Sequence, residues 1–317
     1  MKILITGVHG FIGSHMVECL SKHHLLYGLD IVFHPKEGLL KTFTWGDLEN
    51  EEIPPVDAIL HLAGKAHDTK KKTEENAYFE INTGLTKKIV DYFSIHKEIK
   101  KFIFFSSVKA AAESVKGETL FENVIPAPVG PYGESKRDAE NYILSVMEKS
   151  EMQFVDKEVI ILRPCMIHGP GNKGNLNLLY QIVNKGVPWP LGSFDNKRSF
   201  TSIQNLKFVM EKLFEENIPS GIYNMADDEA ISTSRIIQLI AQISGKNNRI
   251  WYIPRKLLIF AAKVGDIIRL PLTTERLLKL TENYVVSNEK IKKAMKIQSM
   301  PFRAEEGLKI TIKSFKS

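Results

Sequence analysis

Tyr132 and Lys136 stand four residues apart in the run Tyr132-Gly133-Glu134-Ser135-Lys136. On a helix that spacing puts both side chains on one face. A nearby ammonium stabilises a phenolate and lowers the phenol's pKa, which suits the pair to proton transfer near neutral pH. Ser106-Ser107 closes the apolar run Lys101–Ser106, one strand–helix unit earlier, and a hydroxyl there could hold the same substrate oxygen as Tyr132. A second set of residues, Thr6-Gly7-Val8-His9-Gly10-Phe11-Ile12-Gly13, lies between a short apolar strand and a helix-patterned segment. Gly7 permits a tight turn, Gly10 lets the backbone approach a pyrophosphate, and Gly13 lets helix and strand pack closely. The free N–H groups at the helix start then face the phosphates. Asp30 follows at the end of the next apolar run, where a carboxylate accepts from adenosine ribose hydroxyls and repels a 2′-phosphate. No Arg follows it closely, so NAD(H) is favoured over NADP(H).

These groups need elements to position them, and the periodicity supplies a candidate set. Lys2–Ile5, Leu25–Asp30, Asp57–Ala63, Lys101–Ser106, Val159–Arg163 and Gly221–Ala226 read as strands. Phe11–Lys22, with Ile12, Met16 and Leu20 at spacing four, reads as a helix, as do Asn82–Phe93, Glu134–Lys149 and Ile203–Phe214. Strands alternating with helices predict an α/β fold: a Rossmann-type, doubly wound parallel sheet with right-handed crossovers. Residues 1–165 are expected to form the NAD-binding Rossmann domain. Residues 166–317 are expected to form mostly a smaller, mainly helical substrate lobe that returns one strand near 221–226. The stretch 168–200, punctuated by Gly169, Gly171, Gly174, Pro188, Pro190 and Gly192, reads as loop-rich.

Composition narrows the partners. The 317 residues include 43 Lys+Arg against 37 Asp+Glu, 43% apolar residues and 25% charged ones, which excludes both disorder and a membrane bundle. The net charge of +6 permits an anionic ligand. The basic residues are dispersed, however, and Lys70-Lys71-Lys72 is followed at once by Glu74-Glu75, which reads as a solvated face and not a nucleic-acid patch. Cys19 and Cys165, with nine histidines at unrelated positions, make neither a zinc pattern nor a disulfide framework. Met1-Lys2 runs straight into the strand, so no leader is expected, and the apolar stretch Leu257 to Ala262 is ended by Lys263, too short to cross a bilayer. The aliphatic residues of 249–272 are expected to pack within the small lobe or over the substrate. A cytoplasmic protein with no membrane or nucleic-acid partner is the expectation.

With these motifs in place the chain resembles, over nearly its whole length, the extended short-chain dehydrogenase/reductases, the NAD-dependent sugar-nucleotide epimerase/dehydratase family. The N-terminal Thr-Gly-Val-His-Gly-Phe-Ile-Gly is similar to the family's Thr-Gly-x-x-Gly-Phe-Ile-Gly, and His61-Leu62-Ala63-Gly64 to its His-Leu-Ala-Ala. Asn82 matches a helix-start Asn, and Arg163-Pro164 with Gly169-Pro170-Gly171 matches an Arg-Pro-x-x-x-Tyr-Gly-Pro-Gly pattern. The resemblance implies that Tyr132 acts as base on a sugar C4 hydroxyl, that Lys136 binds the nicotinamide ribose, and that Ser107 holds the C4 oxygen. It implies an NAD site made by Gly7, His9, Gly10, Phe11, Ile12 and Asp30, with Asp47 and Leu48 by the adenine. Ala63 and Gly64 would line the pyrophosphate and Pro164 would border the nicotinamide, with Leu62, Asn82 and Ser106 also at the cofactor. Lys109, Asn175 and Arg198 would contact substrate, the last two at the nucleotide diphosphate. It also implies a homodimer built from the helices Asn82–Phe93 and Glu134–Lys149.

The residues after Ser107 separate branches. Dehydratases of this family place an Asp-Glu pair there, because eliminating water needs an extra acid and base; this chain has Val108 and Lys109. Ser106-Ser107-Val108-Lys109, His67 and the stretch from Gly169 to Asn175 resemble a UDP-glucose-4-epimerase-like branch, some of whose members are 4-ketoreductases serving surface polysaccharide synthesis. A UDP-hexose or UDP-N-acetylhexosamine 4-epimerase is the leading expectation, a UDP-4-keto-6-deoxy-sugar 4-ketoreductase the alternative, and a non-catalytic NAD-binding scaffold the third. His168 stands where the family has Tyr, and reads equally as a buried loop histidine. Cys165 and Met166 stand near a position often Asn in UDP-galactose epimerases. No clear Arg-x-x-Asp clamp follows; Glu275-Arg276 is the nearest match.

Overall fold

Successive residues of a strand face opposite sides of its sheet. In β1 (Lys2–Thr6) both sides are apolar: Ile3 and Ile5 enter one core and Leu4 the other. A strand buried on both faces belongs in the middle of a parallel sheet covered by helices, and the computed structural model places it there. It describes residues 1–66, 75–149, 154–172, 174–268 and 272–316; His67 and the Lys70–Lys72 run lie outside the described residues. β1 is joined by β2 (Leu25–Leu29), β3 (Lys41–Phe43), β4 (Ala58–His61), β5 (Lys101–Phe105), β6 (Glu158–Pro164) and β9 (Gly221–Met225) in a seven-stranded sheet ordered β3-β2-β1-β4-β5-β6-β9. Every pairing is parallel. The order reverses between β1 and β4, and ligands of such sheets bind in the crevice beyond the strand C-termini at that switch point.

One core lies beneath the helices Phe11–Leu20 and Ile203–Glu215, through Met16, Val17, Leu206 and Val209. The other lies beneath Leu85–Ile95 and Pro131–Lys149, through Ile89, Phe93, Ala139 and Ile143. A third core, in the C-terminal half, gathers Leu176, Trp189, Ile236, Ile240, Leu258 and Leu308.

Several sequence expectations are corrected. β3 and the short helix Trp45–Glu49 were not foreseen, since runs of three and five residues show too little periodicity. The segment 168–200 holds more order than its glycines and prolines suggest. β7 (Met166–His168) pairs in parallel with β8 (Phe200–Ser202), and Asn175–Asn184 is a helix. Asn82 does not start a helix. The helical path begins at Asn76, and Asn82 sits inside a π-helical turn, Phe79–Gly84, whose extra residue per turn re-aims its side chain inward. The aliphatic residues of 249–272 do not all pack within the C-terminal half: the helix Arg255–Ile268 buries only Leu258, Ala262 and Gly265, and leaves Leu257, Phe260, Ile267 and Ile268 exposed. No described helix is long and apolar enough to cross a membrane.

Candidate active site

The turn after β1 is shaped by two glycines. Gly7 has φ +72°, and its N–H donates to the Leu29 carbonyl at 2.8 Å. A Cβ on Gly13 would lie 2.1 Å from the Gly7 carbonyl oxygen, so no other residue fits beneath the turn. Gly10 begins the helix with no side-chain cap, and the first turn carries no acid, so no side chain competes for its N–H groups. Asp30 binds the turn from below: its carboxylate accepts from His9 N at 3.0 Å and Ile31 N at 2.7 Å. His9 Nε2 is buried with no partner among the described residues. An uncapped helix start, a cradle without Cβ atoms and an acid at the next strand end fit a dinucleotide pyrophosphate and its adenosine ribose.

Across the switch point, a buried chain of hydrogen bonds holds the second wall. Thr6 Oγ1 accepts from Leu62 N at 3.1 Å and Ala63 N at 2.9 Å. Both its lone pairs are then used, so its proton goes to His61 Nδ1, 2.7 Å away. His61 must therefore carry its own proton on Nε2, donating to Thr86 Oγ1 at 3.0 Å, which donates onward to the Asn82 carbonyl at 2.6 Å. Full burial, with Lys136 nearby, holds the His61 pKa well below its usual value, in keeping with a neutral ring. The Asn82 side chain accepts from Lys65 N at 2.7 Å and donates to Ser135 Oγ at 2.9 Å. Asn82 thus ties the Gly64–Lys65 loop to the turn of helix that carries Tyr132.

Tyr132, Lys136 and Glu140 project from one face of the helix Pro131–Lys149 at successive spacings of four. The buried Tyr132 hydroxyl is hydrogen-bonded to Ser107. Its pKa departs from the sequence expectation: burial raises it, the Ser107 bond opposes that only in part, and Lys136 is not among the causes. The Lys136 ammonium instead donates to the Phe105 carbonyl at 2.8 Å, and burial brings its pKa down to about 8 while Glu140 pulls it up. Glu140 is fully buried and fully occupied. It takes a two-pronged grip from Arg163, Nε at 2.7 Å and Nη2 at 2.6 Å, along with Ser106 Oγ at 2.5 Å and Arg137 Nη1 at 3.0 Å. Sequence reading missed Glu140; the continuation of the Tyr132–Lys136 spacing was the available signal. Ser106, expected at the cofactor, gives its hydroxyl to this buried carboxylate.

These groups meet in a cavity of about 380 Å³ whose wall includes Phe11, Ile12, Leu62, Gly64, Ser106, Ser107, Tyr132, Lys136 and Pro164. A Cβ on Gly64 would lie 2.9 Å from Asn82 Oδ1 and 3.0 Å from Lys136 Nζ, so the loop passes against the ammonium only because that residue is glycine. Lys109 and Arg198 also line the cavity, each already engaged. Lys109 Nζ donates to the Glu113 carbonyl at 2.8 Å and lies over the Tyr284 ring. Arg198 Nη2 donates to the Lys279 carbonyl and pairs with Glu282 at 3.3 Å, while its Nε is buried without a partner among the described residues. Glu282 is the one carboxylate in the described lining.

Other expected residues fall elsewhere. Asn175 is exposed at the start of its helix and does not line the cavity. The Asp47 carboxylate caps the helix Trp45–Glu49, accepting from Thr44 N at 2.6 Å and Oγ1 at 2.9 Å, and the Leu48 side chain is in the core beneath the sheet. His168 is buried away from the cavity. Thr311 donates to the Gly307 carbonyl, so its oxygen accepts from His168 Nδ1–H at 2.9 Å, and burial brings the ring's pKa down to about 4. Arg276 takes no place in the cavity wall.

A parallel sheet with an uncapped glycine turn at its switch point, facing a Tyr–Ser–Lys cluster, defines an NAD-dependent enzyme of the extended short-chain dehydrogenase/reductase type. The chain belongs to the NAD dependent epimerase/dehydratase family, whose model matches residues 3–226. It is 31% identical over 266 residues to a UDP-glucose 4-epimerase of Vibrio cholerae, covering 80% of this chain and 78% of that one. It is 25% identical over 331 residues to the N-acetyl-alpha-D-glucosaminyl-diphospho-ditrans,octacis-undecaprenol 4-epimerase of Escherichia coli O157:H7, covering 98% and 94%. Its fold is shared with a UDP-glucuronic acid 4-epimerase of Bacillus cereus in complex with NAD, at TM-score 0.76 and 20% identity over 100% of this chain and 96% of that one. A Thermus thermophilus UDP-glucose 4-epimerase in complex with NAD superposes at TM-score 0.74 with 23% identity, over 100% and 99%.

Proposed function

We propose that this chain is a 4-epimerase of a UDP-hexose or UDP-N-acetylhexosamine, and that Tyr132, Ser107 and Lys136 carry the reaction. The observation that carries the proposal is the Ser107–Tyr132 hydrogen bond at the end of the cavity where Lys136 is buried. The glycine turn would hold the NAD pyrophosphate, and Asp30 the adenosine ribose. NAD, held there, would supply a reversible hydride acceptor at the sugar C4. Tyr132, in its phenolate form, takes the proton from the sugar O4 as the ketone forms, becoming the neutral phenol, and gives that proton back when the alcohol is restored. Ser107 holds O4 within reach of the phenol at both stages. Lys136, anchored by the Phe105 carbonyl, places a cation beside the reacting groups, and Arg198, with a spare buried donor, suits the substrate diphosphate. Elimination of water is not supported by the site, since Val108 and Lys109 replace the extra acid and base and Arg198 occupies Glu282. We place the enzyme in the cytoplasm, as the free, buried thiols of Cys19 and Cys165 suit a reducing compartment. The homodimer is likewise proposed, through the helices Leu85–Ile95 and Pro131–Lys149, and sedimentation equilibrium tests it.

The deciding experiment incubates the purified protein with UDP-N-acetylglucosamine or UDP-glucose, and separately with a UDP-4-keto-6-deoxy sugar plus NADH, following products by NMR. A C4-inverted sugar without net NADH change supports the epimerase, and Tyr132→Phe then lowers kcat by about 10²–10⁴-fold. NADH consumption with the keto sugar alone overturns it in favour of a 4-ketoreductase. No turnover in either arm, with NAD bound equally by wild type and Tyr132→Phe, leaves the NAD-binding scaffold.

A further inference from the structure

The helix Arg255–Ile268 has two apolar sides, and the fold uses one. Leu258, Ala262 and Gly265 face inward, Leu258 and Ala262 joining the C-terminal core. At 100° per residue, Leu257, Phe260, Ala261, Val264, Ile267 and Ile268 form a second, contiguous stripe turned away from it. Leu257, Phe260, Ile267 and Ile268 are 59, 67, 81 and 60% exposed. Trp251 and Tyr252, just before the helix, are exposed too, as is Leu278 in the next helix. Apolar surface of this extent, continuous along one helix, marks a docking face.

Its charge identifies the occupant. Lys256 and Lys263 lie seven residues apart along one border of the stripe and make no ion pair with any described residue. Residues 249–280 contain seven Lys and Arg against two acids. Both acids are engaged locally: Asp266 accepts from Thr274 N and Oγ1, and Glu275 pairs with Lys279 at 2.9 Å. A second copy would bring like charge against like, whereas a surface that is both apolar and anionic complements the face. At 14 residues the helix is about 21 Å long, too short to span a bilayer and long enough to lie in its interface.

We infer that the helix Arg255–Ile268 docks the enzyme on an anionic membrane surface, with Leu257, Phe260, Ile267 and Ile268 among the upper acyl chains and Lys256 and Lys263 at the head groups. The helix is also tied toward the cavity: off the apolar stripe, the Asp266–Thr274 bonds join it to the helix Thr274–Thr281, which leads directly to Glu282 in the cavity wall. Docking would therefore hold the cavity within one helix of the bilayer. The inference goes beyond the epimerase reading and does not depend on it.

The test is co-sedimentation of the full-length protein with vesicles of phosphatidylglycerol and phosphatidylethanolamine, against vesicles of phosphatidylcholine alone. Wild type is expected on the anionic vesicles only, with binding that falls as salt is raised. Lys256→Gln with Lys263→Gln weakens it about 30-fold, at about 1 kcal/mol per lysine near the surface. Phe260→Glu abolishes it, while thermal unfolding of both variants stays at the wild-type temperature because the side chains are exposed. Equal sedimentation of Phe260→Glu and wild type overturns the inference. So does wild type that stays in the supernatant and forms a dimer that Phe260→Glu dissociates, which assigns the face to a second copy.

Discussion

Thr6→Val isolates the hydrogen-bond chain behind the cofactor turn. Valine keeps the branched shape and puts a methyl where the hydroxyl was, so no cavity opens. The Leu62 and Ala63 N–H groups lose their acceptor and His61 Nδ1 loses its donor, all in a region where Thr6 and His61 are fully buried. A buried polar group without a partner costs about 1–3 kcal/mol. The two N–H groups are only partly buried, which puts each group near the lower end and the total at about 3 kcal/mol. Thr6→Ser is the matched control: it keeps the oxygen and loses one methyl, about 1 kcal/mol. Urea denaturation should give a lower midpoint for Thr6→Val than for Thr6→Ser at unchanged slope, and thermal unfolding should fall by about 5 °C. NAD affinity, read by isothermal titration, should weaken with Thr6→Val because the Leu62–Lys65 wall has lost its anchor. If Thr6→Val is as stable as Thr6→Ser and binds NAD equally well, the directed chain from Thr6 to Asn82 is wrong.

Gly13→Ala puts a methyl 2.1 Å from the Gly7 carbonyl oxygen, a backbone atom that cannot step aside, so NAD binding should be lost by titration while the far-UV circular dichroism persists. Lys136, with a pKa of about 8, sheds its proton above that pH, so kcat/KM should fall on the alkaline side with a limb near pH 8. Glu140 raises that pKa, so Glu140→Gln should move the limb to lower pH as well as lower stability by about 3–5 kcal/mol; an unmoved limb would reject Lys136 as its source. His168, with a folded pKa of about 4, binds its proton more weakly in the native state than in the unfolded chain. The stability it adds over His168→Gln should therefore be fully present above about pH 6.5 and decline as pH falls toward 4, read by urea titrations at several pH values, with kcat unchanged at neutral pH.

Much of the architecture was legible because it is locally encoded. Two-sided apolar strands such as Ile3-Leu4-Ile5 and Phe102-Ile103-Phe104, separated by helix-patterned segments, leave few alternatives to a covered parallel sheet. The same holds for the face shared by Tyr132 and Lys136, and for the glycine turn. A spacing of four and a backbone that tolerates no Cβ are properties of short segments. Where signals were short or ambiguous the reading failed: β3 and β7 are three residues long, and Asn82 lies in a π-helical turn that breaks the 3.6-residue period.

What side chains do with their charges and hydroxyls depended on neighbours far away in the chain. Glu140 is held by Arg163, 23 residues on, and by Ser106, 34 residues back, and this pairing commits the Ser106 hydroxyl to a buried ion-pair network. Burial, not the nearby ammonium, governs the Tyr132 pKa, and burial is a property of the whole packed cavity. The helix Arg255–Ile268 makes the point from the other direction. Its composition allows either side to face a core, and the packing of the C-terminal half took the narrow face of Leu258, Ala262 and Gly265. Local sequence specifies backbone conformation and periodicity over a few residues, whereas desolvation and pairing energies arise between segments that meet only when the chain has folded.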